Sequence, residues 1–141
     1  MNTLEKEFNP YQESLELKEL GFDEPCIMQW TYAPELIFCT SAWGRPKLKT
    51  NKESYSDSGG DCISAPTFSQ TFRWFRDKKL SDMCICRYQS RDDGGIYYYY
   101  HITHDFGVEE TKHYKEGFFS YEEAELACLK KLIEIVKNKK P

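Results

Sequence analysis

The sequence predicts an α+β fold, with three helices on one face of an antiparallel sheet of four to five strands, in the order α-β-β-α-β-β-(β)-α. Three stretches carry helix punctuation and 3.6-residue apolar spacing, beginning near Pro10, Ala65 and Ser120. Between them lie pairs of short apolar runs broken by turn residues, the mark of β-hairpins. The length of 141 residues suits one core and is short for two ordinary domains, so a single globular domain over 1–141 is expected.

The first helix is expected over 10–20. Asn9 can cap it, Pro10 fits the first helical position, and Gln12 stands three residues after Asn9 as a capping box requires. Tyr11, Leu15 and Leu20, with Leu17 alongside, form its apolar stripe. Gly21 occupies the left-handed stop position, and Phe22 can fold back on Leu17 as in a Schellman motif. Cys26–Tyr32 and Leu36–Ser41 then read as a hairpin around Ala33-Pro34-Glu35. Residues 43–63 are rich in Gly, Ser, Asp and Lys, and so long a loop in a compact domain is flexible or functional.

Ala65-Pro66 opens the second helix, which runs to about Lys79. Phe68, Phe72 and Phe75 share one face, while Trp74 falls off that stripe between Arg73 and Arg76. Met83–Gln89 and Ile96–Thr103 form a second hairpin around Ser90–Gly95, where Asp93-Gly94 is a strong tight-turn signal. A polar edge strand is expected at roughly Val108–Tyr114. In the last helix Ser120 and Glu123 make a capping box, and Ala124, Cys128, Leu129, Leu132, Ile133 and Val136 make the apolar face.

Composition narrows the function classes. Lys and Arg number 19 against 23 Asp and Glu, a net charge of −4, which argues against binding nucleic acid through a broad basic surface. Arg45, Lys47, Lys49 and Lys52 are the only basic run outside the helices. The sequence has no stretch near the ~20 apolar residues of a membrane span and no signal-peptide core at its start, so no membrane partner and a cytoplasmic location are expected. The six cysteines are then reduced thiols rather than a disulfide framework. With 9 Phe, 10 Tyr and 3 Trp, the core is expected to be ring-rich.

Three segments taken together resemble a known group: Leu17-Lys18-Glu19-Leu20-Gly21-Phe22-Asp23-Glu24-Pro25-Cys26, Ala65-Pro66 with Phe72-Arg73-Trp74-Phe75-Arg76, and Tyr121-Glu122-Glu123-Ala124-Glu125-Leu126. The group comprises short uncharacterised proteins of gut anaerobes and their phages and prophages. These segments are helix caps and helix cores, so the resemblance implies a shared fold and a phage or prophage association. The group has no assigned activity, and the resemblance therefore implies no catalytic residue.

Two constellations could carry chemistry. With Asp93-Gly94 as a two-residue turn, Cys86 faces His101, Cys84 faces Thr103 and Met83 faces His104; a Gly94-Gly95 turn shifts the partners but keeps the faces. Cys84, Cys86, Tyr88, Tyr97, Tyr99, His101 and Thr103 then share one side of the sheet. Two thiols and an imidazole can begin a zinc site, with His104 or a further cysteine completing it, or can form a thiol–imidazole nucleophilic pair. The one-residue spacing of Cys84 and Cys86 is shorter than structural zinc sites favour.

The second constellation is aromatic. Tyr97–Tyr100 place two rings on each side of one strand. An exposed pair such as Tyr98 and Tyr100, with Trp43, Trp74, Arg73 and Arg76, is the composition that protein interfaces enrich. The leading expectation is therefore an accessory binding domain without cofactor whose partner is another protein, a second copy of the chain included. The alternatives are a thiol- or zinc-dependent module on the second hairpin and a surface that stacks single-stranded nucleic acid or sugar.

Overall fold

The computed structural model describes residues 4–41, 43–53, 62–79, 81–104, 108–112 and 117–138. The fold is α+β. After a single 3-10 turn at Glu5–Glu7 the elements run α1 (Tyr11–Glu19), β1 (Met28–Trp30), β2 (Leu36–Phe38), β3 (Ile63–Ser64), α2 (Phe68–Lys79), β4 (Ser81–Gln89), β5 (Ile96–His104), β6 (Val108–Lys112) and α3 (Tyr121–Asn138). The chain divides into two compact units, Met1–Phe68 and Ser69–Pro141. Among the described residues no helix is long and apolar enough to cross a membrane.

The strands form two three-stranded antiparallel sheets, ordered β2-β1-β3 and β4-β5-β6, in place of the single sheet of four to five strands expected from sequence. β1 pairs with β2 through Gln29↔Ile37. Its other edge is filled by residues 63–64, through Gln29↔Ser64 and Trp30↔Ile63. Composition assigned those residues to the end of a long loop, because a two-residue strand has no periodicity to read. The same loop is tied down earlier, by the bridges Thr40↔Pro46 and Cys26↔Lys49. Residues 54–61 lie outside the described residues.

In the first unit, α1 lies along β3. Its N-cap is Pro10 rather than Asn9, with no side-chain cap. Asn9 is buried instead, and its carbonyl accepts from Ser14 Oγ (3.1 Å) and Trp30 Nε1 (2.9 Å). The inward face of α1 is accordingly Glu13, Ser14 and Leu17, rotated from the stripe that the leucines suggested. The helix stops as its sequence predicts. Gly21 sits at φ +96°, Phe22 N–H donates to the Leu17 carbonyl (2.9 Å) and Gly21 N–H to that of Lys18 (3.1 Å). Phe8, Met28 and Ala65, with Trp30 and Leu36 against them, form a core cluster in this unit.

In the second unit α3 covers one side of β4 and β5. It begins as its sequence predicts: Ser120 Oγ accepts from Glu123 N–H (3.1 Å). The reciprocal bond falls one residue early, from Phe119 N–H to Glu123 Oε2 (3.2 Å). Ala124, Cys128, Leu129, Leu132, Ile133 and Ile135 are its buried residues, with Ile135 in the place given to Val136. β6 is an edge strand ending at Lys112, and residues 113–116 lie outside the described residues.

The second hairpin pairs two positions off the expected register. Cys84 faces His101, Cys86 faces Tyr99 and Met83 faces Ile102. The reason is the turn: Ser90 N–H donates to the Gly95 carbonyl (2.8 Å), so four residues, Arg91–Gly94, make the loop instead of two. Gly94 takes the left-handed conformation at φ +71°. The Asp93 carboxylate staples the loop, accepting from Gly95 N–H (2.7 Å) and the Tyr97 hydroxyl. A two-residue shift leaves the faces unchanged, because side chains alternate with period two.

Candidate functional site

The first unit carries an apolar hollow. Beyond β2 the chain turns back on itself: Cys39 N–H bonds the Ile27 carbonyl (2.9 Å), Lys47 N–H bonds the Cys39 carbonyl (3.0 Å), and Cys26 and Lys49 exchange both bonds (2.9 and 3.0 Å). Extended backbone alternates its side chains, so Cys26, Cys39 and Lys49 turn inward and Ile27, Phe38 and Leu48 turn outward. Phe38 is 59% exposed. Ile27, Phe38, Cys39, Pro46, Lys47 and Leu48 line a half-open hollow of about 270 Å³.

The turn joining the two arms of this segment is closed by Ser41 N–H to Arg45 O (2.7 Å), with Gly44 at φ +74°. It presents Trp43, 89% exposed. Lys47 is the charged member of the lining, and Arg45 is exposed two residues before it. Lys49, a member of the same basic run, is buried, while Lys52 pairs with Asp23 at 3.4 Å. Burial pushes the inward-turned Cys39 thiol up to about 11 against the opposing pull of Lys49, so it is protonated at neutral pH and is no nucleophile.

The second unit holds the sequence-predicted thiols and tyrosines. Cys84 and Cys86 share the side of the sheet opposite α3, with their sulfurs 3.7 Å apart. Tyr88, Tyr97 and Tyr99 stand beside them, Tyr88 stacking on Tyr97 and meeting Tyr99 edge-on, both at 5.7 Å. Phe119 tilts against Tyr97 from the approach to α3 and is 77% exposed. His101 is across from Cys84; the His104 side chain lies outside the described residues. Among the described residues no group of three or more His, Cys, Asp or Glu side chains is arranged to hold a metal ion.

Within the second unit, Tyr98, Tyr100 and Trp74 do not make one exposed patch. Tyr98 and Tyr100 stand on the α3 side, Tyr98 edge-on to Tyr121 and Tyr100 stacked on Phe118. Tyr100 is 7% exposed, so the more open pair is Tyr97 and Tyr99. Trp74 is 4% exposed, edge-on to Phe75 with Lys79 over its ring at 5.2 Å. The four rings of α2 bury a wider face than the stripe of three phenylalanines, which is why Trp74 is not at the surface. Arg73 and Arg76 are exposed, and Arg76 meets Asp82 at 3.5 Å. A stacking surface built on Tyr98, Tyr100 and Arg73 is therefore not formed.

Among the predicted interface residues, Trp43 belongs to the first unit and stands three residues before Pro46 of the lining. Ile27, Phe38 and Leu48 were missed; only Phe38 lies in a strand, and what marks all three is an exposed apolar side chain beside a buried one, Cys26, Cys39 and Lys49 respectively. Compared with protein-family models, with curated proteins and with solved structures, the chain gives no match.

Proposed function

We propose that this protein is a non-enzymatic accessory domain that binds another protein, taking an apolar side chain of the partner into the hollow of the first unit. The observation that carries this reading is the grouping of Ile27, Phe38 and Leu48, all exposed, around one concave apolar surface. Single exposed apolar residues are ordinary, but a contiguous group around a concavity is the feature that interaction sites share. Trp43 stands on the adjoining turn as an aromatic side chain free to close over a bound segment. Lys47 in the lining and Arg45 beside it favour a partner segment with acidic residues flanking its apolar anchor. A phage- or prophage-encoded accessory protein, as the resemblance implies, is a setting in which such a domain serves.

The test is selection from a displayed random-peptide library against the untagged chain. Enriched peptides should combine a bulky apolar residue with Asp or Glu. Their affinity should fall about 10-fold or more in Phe38→Ala and Leu48→Ala, the size of loss that removing a central anchor produces. It should also weaken with added salt. Peptides that bind the Phe38→Ala/Leu48→Ala chain as tightly as the natural one would remove this reading.

A further inference from the structure

A different observation, in the second unit, carries an inference independent of the hollow. In an extended strand, residues two apart are separated by about 6.7 Å. Cys84 and Cys86 nonetheless bring their sulfurs to 3.7 Å by leaning toward each other. Two thiolates bound at about 2.3 Å to one tetrahedral ion stand about 3.8 Å apart. The two thiols share an S–H···S hydrogen bond at that distance, and the same separation matches one edge of a tetrahedral thiolate site.

The surroundings favour that use over plain burial. Cys84 is exposed, and the Tyr99 hydroxyl donates to Cys86 Sγ. A hydrogen bond into the sulfur is part of the support that metal-bound thiolates receive from their neighbours. The Asp82 carboxylate, which also meets Arg76 at 3.5 Å, lies on the same side of the sheet and acts electrostatically on Cys84. The buried thiols Cys26, Cys39, Cys62 and Cys128 offer none of this access.

We propose that Cys84 and Cys86 form a surface two-thiolate site for a soft closed-shell cation, Zn(II) or Cu(I). Binding replaces the two S–H protons, which pass to solvent, by two metal–sulfur bonds. The oxidation state of the metal is unchanged. His101 is the register partner of Cys84 across the strand pair, and water or donors brought by the cation's carrier take the remaining positions. With two fixed ligands the site is built for exchange with a carrier and not for permanent structural metal.

Cobalt(II) is the spectroscopic stand-in for zinc. Titrated into the untagged, reduced chain, it should give a near-ultraviolet thiolate-to-cobalt absorption saturating at one equivalent. The band should fall to about half in Cys84→Ser and in Cys86→Ser and vanish in the double variant, with the far-ultraviolet circular dichroism of each unchanged. Zinc, or Cu(I) supplied from a competing chelator, should displace the cobalt, and which of them does so at the lower free concentration names the cation. A band that survives in the double variant, saturation only at several equivalents, or failure of both ions to displace cobalt would overturn the site. Loss of peptide binding at the hollow has no bearing on these readouts, so the two proposals fail separately.

Discussion

The six thiols differ in what surrounds them, and their chemistry follows. Burial raises Cys39 to about 11 and raises Cys128 further, while Cys84 is raised by partial burial and by its hydrogen bond to Cys86 but remains open to solvent. A thiol reagent at pH 8 should therefore label two cysteines, Cys84 and Cys86, in the native chain, and all six only after unfolding; peptide mapping reads the sites. The Cys39 shift also sets a pH dependence. Its folded value lies above the ordinary 9.0, so the fold holds a proton that the unfolded chain releases. The stability this lends is complete below pH 9 and is lost as pH rises from 9 through about 11. Two pH units correspond to roughly 2–3 kcal/mol at most. Urea melts of the natural chain and of Cys39→Ala at pH 8 and pH 11 should show the gap between them shrinking at the higher pH.

At the scale of single elements, the ends are set by local chemistry that the sequence states openly. Gly21, at φ +96°, stops α1 where a side chain is strained, so Gly21→Ala should cost about 1–2 kcal/mol by chemical denaturation. Ser120→Ala removes the acceptor of the Glu123 N–H and should cost about 1 kcal/mol. These caps were legible because each lies within five residues of sequence. The four-residue turn of the second hairpin was not. Asp-Gly signals a two-residue turn, and only the Asp93 carboxylate bonded to Gly95 N–H and Tyr97 reveals the longer one. That bond holds the Asp93 carboxyl below its ordinary range and the Tyr97 phenol above its own. Asp93→Asn should lower the pH at which one tyrosine ionises in an ultraviolet titration. In the natural chain the contribution of the bond fades as pH falls below the ordinary carboxyl value of 3.8, where the carboxylate gains a proton.

Over the whole molecule, what sequence could not supply was long-range pairing. Gln29 meets Ser64 and Phe8 bridges Thr67, contacts whose partners lie dozens of residues apart and leave no periodic trace. The candidate hollow depends on the same kind of contact, since Cys26 must find Lys49 before Ile27 and Leu48 can stand on one surface. Each unit has its own buried residues, the first around Phe8, Met28 and Ala65, the second along α3 against β4 and β5. That division predicts where damage shows. Leu132 is wholly buried in α3, and Leu132→Ala should cost about 2–5 kcal/mol through lost burial and the cavity left behind. Hydrogen exchange by mass spectrometry should then speed first in β4, β5 and α3, because the bonds that open are those the helix face had shielded. The amides of β1 and β3, joined at Gln29↔Ser64, keep their own core and should hold their protection at the same denaturant concentration. Equal loss of protection in both units would mean that they unfold as one cooperative body, and the hollow of the first would then depend on the α3 core of the second.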